Sequence, residues 1–181
     1  MLVRKAETKL ATSLKEMIQK KEAKDVQSRP TVLVCDCSGS MSDMAKTATK
    51  IAILAKTVNT LQTQFSNIKI IRFSSSAQLV SELHPSASGG TALHKALDLA
   101  VSLRPAKVIV LSDGIPDNED AALRSASKLS CPISCIYIGP EGGFGWEFLK
   151  RLATGKGGQF SDVNLSQESQ LESKIRKMLS A

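Results

Sequence analysis

The sequence predicts an α/β domain: a mostly parallel sheet lying between layers of helices, with one antiparallel strand at its edge. Three observations predict it. Beyond residue 30, short apolar runs alternate with helical patterns, the signature of strands crossed over by helices. The run from Thr31 to Cys35 is continuously apolar, as expected for a central parallel strand buried on both faces. Ile68 to Phe73 and Ala77 to Leu83 are separated only by Ser74, Ser75 and Ser76, a link that suits a hairpin and is too short for a crossover.

The elements follow in order. The strand beginning at Thr31 ends at Asp36, and a long helical pattern comes next, with Met44, Ile51, Leu54, Ala55, Val58 and Leu61 on one face and Ser42 placed to cap its start. After the hairpin, the spacing predicts a helix from about Thr91 to Leu103, a strand over Val108 to Ser112, a helix over Asn118 to Leu129 and a strand over Ile133 to Ile138. Trp146, Leu149 and Leu152 mark a further helix. Gly157-Gly158-Gln159-Phe160 reads as a short edge strand, and Leu171, Ile175 and Met178 as a closing helix. The glycines at 155, 157 and 158 fit a helix stop and a tight turn. There is no internal repeat and no low-complexity tract.

Two regions differ in kind. Residues 1–29 form an amphipathic helical leader, in which Val3, Ala6, Leu10, Leu14, Met17 and Ile18 recur at helical spacing among lysines. Ser28-Arg29-Pro30 breaks that helix, and residues 30–181 form the α/β domain. The length of 181 residues suits one domain with a real core. Charged residues at the start leave no apolar stretch for a signal peptide, and no run reaches membrane-spanning length, so the expected compartment is the cytoplasm.

The formal charge of +7 has a local source, since lysines and arginines cluster in the leader. Aromatic residues are scarce, which argues against a stacking platform for single-stranded nucleic acid. Cys35, Cys37, Cys131 and Cys135 lack the Cys-x-x-Cys spacing of zinc sites and read as core thiols.

The informative segment is Asp36-Cys37-Ser38-Gly39-Ser40-Met41, between the first strand and the helix that follows. In an open parallel sheet, ligands bind beyond the carboxyl ends of the strands, where strand order reverses. A carboxylate and two hydroxyls at alternate residues can turn three oxygens toward one point, with Gly39 permitting the curl. Thr91, after Ser88-Gly89-Gly90, and Asp113, after the strand Val108 to Ser112, place oxygens at comparable corners. Taken singly, each motif could be a helix cap or a turn. Three in order along one sheet edge point to a shared site, and an all-oxygen set suits a hard cation such as magnesium.

These three motifs, with Leu111-Ser112-Asp113-Gly114 as the last, resemble the metal-ion-dependent adhesion site of von Willebrand factor A domains. Leu152-Ala153-Thr154-Gly155 followed by Gly157-Gly158-Gln159-Phe160 is similar to that family's last helix-to-strand junction, so the resemblance spans nearly all of residues 30–181. It implies a doubly wound, Rossmann-like sheet with one antiparallel edge strand and helices on both faces. It also implies five metal-coordinating positions, Asp36, Ser38, Ser40, Thr91 and Asp113, holding magnesium or manganese, and a protein partner whose carboxylate completes the coordination. The leader lies outside the resemblance. Intracellular relatives of this kind are often coupled to ATPases, which by analogy adds an ATPase to the partners the resemblance allows.

The competing reading is a metal-dependent hydrolase of phosphate esters. The chain offers no Asp-x-Asp pair and no Gly-x-x-x-x-Gly-Lys-Ser/Thr cradle. Gly142-Gly143-Phe144-Gly145 lacks the lysine and hydroxyl of a phosphate loop and reads as a flexible loop, and His94 reads as a packing or surface residue. The expectation is a binding module without catalysis.

Overall fold

A computed structural model describes Met17, residues 28–165 and residues 168–180. Six strands form one sheet in the order β3-β2-β1-β4-β5-β6. They are β1 (Thr31–Asp36), β2 (Ile68–Phe73), β3 (Ala77–Val80), β4 (Lys107–Ser112), β5 (Ile133–Ile138) and β6 (Phe160–Val163). Every pairing is parallel except that of β2 with β3, which is antiparallel, with Phe73 opposite Ala77. The helices are α1 (Lys50–Gln64), α2 (Leu93–Ser102), α3 (Glu119–Ser127), α4 (Trp146–Gly155) and α5 (Glu168–Ser180).

Alternation along the central strands divides the core into two layers. Leu33 and Cys35 of β1, with Ile109 and Leu111 of β4, face a cluster completed by Ile53, Leu54, Val58 and Leu61 of α1 and by Leu171, Ile175 and Met178 of α5. Val32, Val34, Val108 and Val110 face the other way, onto Leu97 of α2, Ala122 of α3 and Leu149 of α4. Both faces of β1 and β4 are therefore fully covered, which is why their sequences are unbroken apolar runs. The doubly wound, mostly parallel architecture with an antiparallel edge strand is the one expected from the sequence.

Some boundaries differ. The chain after β1 does not enter the long helix directly: Gly39–Ser42 forms a 3-10 turn, Met44 bridges Thr49, and only then does α1 begin. Thr49, whose side chain accepts from the Ala52 amide at 3.3 Å, caps α1. Ser42 does not; its hydroxyl donates to the Gly39 carbonyl at 2.6 Å. Met44, expected on the buried face of the helix, is 66% exposed. The second hairpin strand stops at Val80, and the last edge strand starts at Phe160, where the expected one ended.

Cys35, Cys37 and Cys135 are buried, Cys131 is half-buried, and all four are free thiols. Of the leader's apolar stripe, Val3, Ala6, Leu10, Leu14 and Ile18 lie outside the described residues; Met17 is helical and exposed. Among the described residues, no helix is long and apolar enough to cross a membrane.

Candidate metal centre

Strands β1 and β4 are neighbours in the sheet, and their exits diverge. From β1 the chain leads to α1 on one face; from β4 it leads to α3 on the other. Diverging connections open a crevice beyond the carboxyl ends of those two strands, with Asp36 and Asp113 on its walls.

Asp36 is the last residue of β1 and is completely buried. Its carboxylate is held on both oxygens: the Ser38 amide donates to Oδ1 at 2.7 Å, closing a local turn, and the Ser112 hydroxyl donates to Oδ2 at 2.5 Å. Burial pushes its pKa up to about 6 against the pull of the hydrogen bonds from Ser112 and Ser38, and the nearby charge of Asp113 adds to the rise. The carboxylate is thus placed where a compensating cation would be electrostatically favoured.

Ser38 and Ser40 follow on the 3-10 turn. Their hydroxyl oxygens lie 3.2 Å apart, and Ser40 Oγ donates to Asp113 Oδ1 at 2.7 Å. Ser38 is buried and Ser40 exposed, so the row of oxygens runs from the sheet outward to solvent. The curl does not depend on glycine conformation as the sequence reading expected: Gly39 is not among the glycines with positive φ, and a Cβ there would meet only the Gly89 carbonyl oxygen, at an ordinary 3.6 Å.

Asp113, with a side chain only 1% exposed, receives a second partner on its other oxygen, Lys50 Nζ at 2.7 Å. The same ammonium lies 3.2 Å from Asp43 Oδ2 and 3.4 Å from the Ser40 carbonyl oxygen. Burial works to lower the Lys50 pKa, but hydrogen bonds and charge from Asp113 and Asp43 together outweigh it and hold it above the ordinary value.

Thr91 reaches this edge on its own loop, which is laced to the first one: Gly39 N donates to Gly89 O at 3.0 Å and Ser88 N to Cys37 O at 2.8 Å. Asp117, beyond Asp113, grips Thr91 from the far side. Its Oδ1 accepts from Thr91 N at 2.9 Å, and its own amide donates to Thr91 O at 3.0 Å. This grip needs Gly90, since a Cβ there would lie 2.7 Å from Asp117 Oδ2.

A groove of about 370 Å³ lies on the α3 and α4 side, lined by Ile115, Phe144, Phe148 and Arg151 among others. Its loop is pinned at Gly145, which has φ +88° and packs so closely on Gly114 that a Cβ would lie 2.4 Å from the Gly114 carbonyl. Gly143 is confined by a side chain instead, the Tyr137 hydroxyl, and Phe144 between them is 86% exposed.

The structure therefore brings Asp36, Ser38, Ser40 and Asp113 into one hydrogen-bonded chain, and laces the loop that carries Thr91 to it through Ser88 and Gly89. The donor set is two carboxylates and three hydroxyls, which fits a hard cation. Among the described residues, no group of three or more His, Cys, Asp or Glu side chains is arranged to hold a metal ion, so the candidate set depends on its hydroxyls as well as its two carboxylates. Ser112, Lys50 and Asp117 contact the candidate residues directly and are not among those the sequence singled out as ligands. Ser112 had the best signal, being the last strand residue before Asp113.

A family model, the von Willebrand factor type A domain, matches residues 45–162, a span that includes Thr91 and Asp113 and starts after Ser40. No curated protein sequence matches the chain significantly. Among solved structures, the chain is similar to a von Willebrand factor type A protein from Catenulispora acidiphila, with a TM-score of 0.70 and 17% identity over 83% of this chain and 41% of that one. It thus spans less than half of that relative. The protein BatB from Bacteroides thetaiotaomicron gives a TM-score of 0.62 at 18% identity, over 85% of this chain and 100% of that one. The manganese-loaded TRAP protein of Plasmodium vivax also gives 0.62, at 19% identity over 84% of this chain and 74% of that one.

Proposed function

The chain belongs to the von Willebrand factor type A domain family, and from that premise we propose that it is a divalent-metal-dependent protein-interaction module. Asp36, Ser38, Ser40, Thr91 and Asp113 hold magnesium or manganese, and an acidic side chain of a protein partner binds through that ion. The observation that carries the reading is the bond from Ser40 to Asp113, which joins two motifs 73 residues apart into a single row of oxygens at the crevice. The manganese-loaded TRAP protein shares the fold, which supports a divalent ion.

When bound, the ion supplies a positive centre with exchangeable positions, to which an external carboxylate is drawn. The chain's own residues do the rest. Ser38 N–H and Ser112 hold the Asp36 carboxylate in one orientation, the loop that carries Thr91 is laced to the one that follows Asp36, and Ser40 carries the row to solvent, where a partner can reach it. Free thiols at Cys35, Cys37, Cys131 and Cys135 are in keeping with a reducing compartment, and we place the protein in the cytoplasm. An ATPase is one candidate partner, by family analogy alone.

No catalytic step is assigned. The deciding experiment is an affinity pull-down with the full chain in magnesium and in EDTA, with Asp36→Ala in parallel. A partner retained in magnesium and lost under both other conditions supports the reading; one retained equally in all three overturns it. Metal-dependent turnover of phosphate esters, lost in Asp113→Ala, would replace it with the hydrolase.

A further inference from the structure

We propose that Lys50 is a tethered cation that neutralises Asp113 while no divalent ion is bound and must leave Asp113 when one enters, so that it sets the metal affinity of the site. The inference rests on the metal-site reading above and adds to it a residue that the adhesion motif does not contain.

Three observations carry it. The first is contact: Lys50 Nζ lies 2.7 Å from Asp113 Oδ2, and the Asp113 side chain is 1% exposed, so this ammonium is the charge partner of a nearly buried carboxylate. The second is placement. Lys50 is the first residue of α1, directly after the Thr49 cap, and the first turn of α1 contains no acidic residue. A helix N-terminus carries partial positive charge and disfavours a cation. Lys50 therefore stands at an adverse position on its own helix, and Asp113 offsets that cost. The third is an alternative berth. Asp43, with a side chain 65% exposed, has Oδ2 3.2 Å from the same Nζ, so the ammonium can release Asp113 and keep a carboxylate partner nearer solvent.

Charge accounting gives the consequence. Asp36 and Asp113 bring two carboxylates to the crevice, and Lys50 supplies one positive charge. A divalent ion bound by those carboxylates would share Asp113 with the ammonium across a few ångströms, where like charges repel strongly in a partly buried setting. Binding then includes moving Lys50 toward Asp43. The same pairing contributes to the stability of the metal-free domain.

The test uses the full chain with Lys50→Met, Lys50→Gln and Lys50→Arg. Calorimetric titration with magnesium and manganese chloride gives affinity, and thermal melts in EDTA and in saturating metal give stability. Lys50→Met and Lys50→Gln should bind metal about tenfold or more tightly than the wild type, melt lower in EDTA, and recover to the wild-type melting temperature or above in metal. Lys50→Arg, which keeps the charge, should stay within a few-fold of the wild type. Lys50→Gln, purified in magnesium, serves should Lys50→Met fail to fold without it. Metal binding by the variants where the wild type shows none supports the proposal in its strongest form. Equal or weaker binding by both neutral variants overturns it and leaves the metal site intact. Absence of binding in all four proteins overturns the metal site itself and this inference with it.

Discussion

The Ser112 hydroxyl donates to Asp36 Oδ2 at 2.5 Å, tying the last residue of β4 to the last residue of β1 at the floor of the crevice. Both residues are buried, so neither group can exchange the bond for water. Ser112→Ala should therefore cost about 1–3 kcal/mol of stability in EDTA, the cost of leaving a buried acceptor without its donor. The loss should shrink in magnesium, where a cation compensates the carboxylate. Urea denaturation with and without the metal reads both values, and an unchanged midpoint in EDTA would show the bond to be energetically idle.

Gly90 and Asp117 should behave as one unit. A Cβ at residue 90 would lie 2.7 Å from Asp117 Oδ2, the carboxylate that grips the Thr91 amide. Gly90→Ala should weaken metal binding by about tenfold through displacement of that supporting group, and Asp117→Ala should do the same. Together they should cost little more than either alone, because the clash disappears with the carboxylate. Strict additivity in a double-mutant cycle would refute the coupling.

Chelation should leave the domain folded. The two apolar layers are complete without an ion, and Lys50 partners Asp113. Magnesium or manganese should raise the melting temperature by mass action, and Asp36→Ala should abolish that rise. Cooperative unfolding on adding EDTA at moderate temperature would make the metal structural. An equal metal-dependent rise in Asp36→Ala would move the site elsewhere.

A chain beginning at Ser28 should fold and bind metal as the full chain does. It keeps the bonds that fasten the start of the domain: Asn67 Nδ2 to the Ser28 carbonyl at 2.8 Å and Ala106 N to the Pro30 carbonyl at 2.9 Å. Circular dichroism, calorimetry and sedimentation of the truncated protein check this. Unfolding or aggregation would place residues 1–27 in the core and move the boundary.

What could be read from the sequence was whatever depends on near neighbours. The buried strands declare themselves because β1 and β4 are covered on both faces, and Asp36, Ser38, Ser40 and Asp113 sit where apolar runs stop. The start of α1 was misplaced because Ser42 has the right chemistry for a cap, while the 3-10 turn and the Met44–Thr49 bridge that defer the helix have no periodic signal. Lys50 and Asp117 could not be read at all. Their roles arise from contacts 63 and 26 residues away in sequence, made only after the sheet has assembled.

The loop beside Asp113 also limits how this surface can be varied. Gly145 is wedged on Gly114, Gly143 is confined by the Tyr137 hydroxyl, and Phe144 between them projects into solvent. For directed evolution of binding specificity, that makes residue 144 a single free letter in a fixed word. A library randomising all three would spend most of its members on chains that cannot close the loop, whereas one confined to position 144 and the half-exposed Ile115 would sample new recognition chemistry on an unchanged frame.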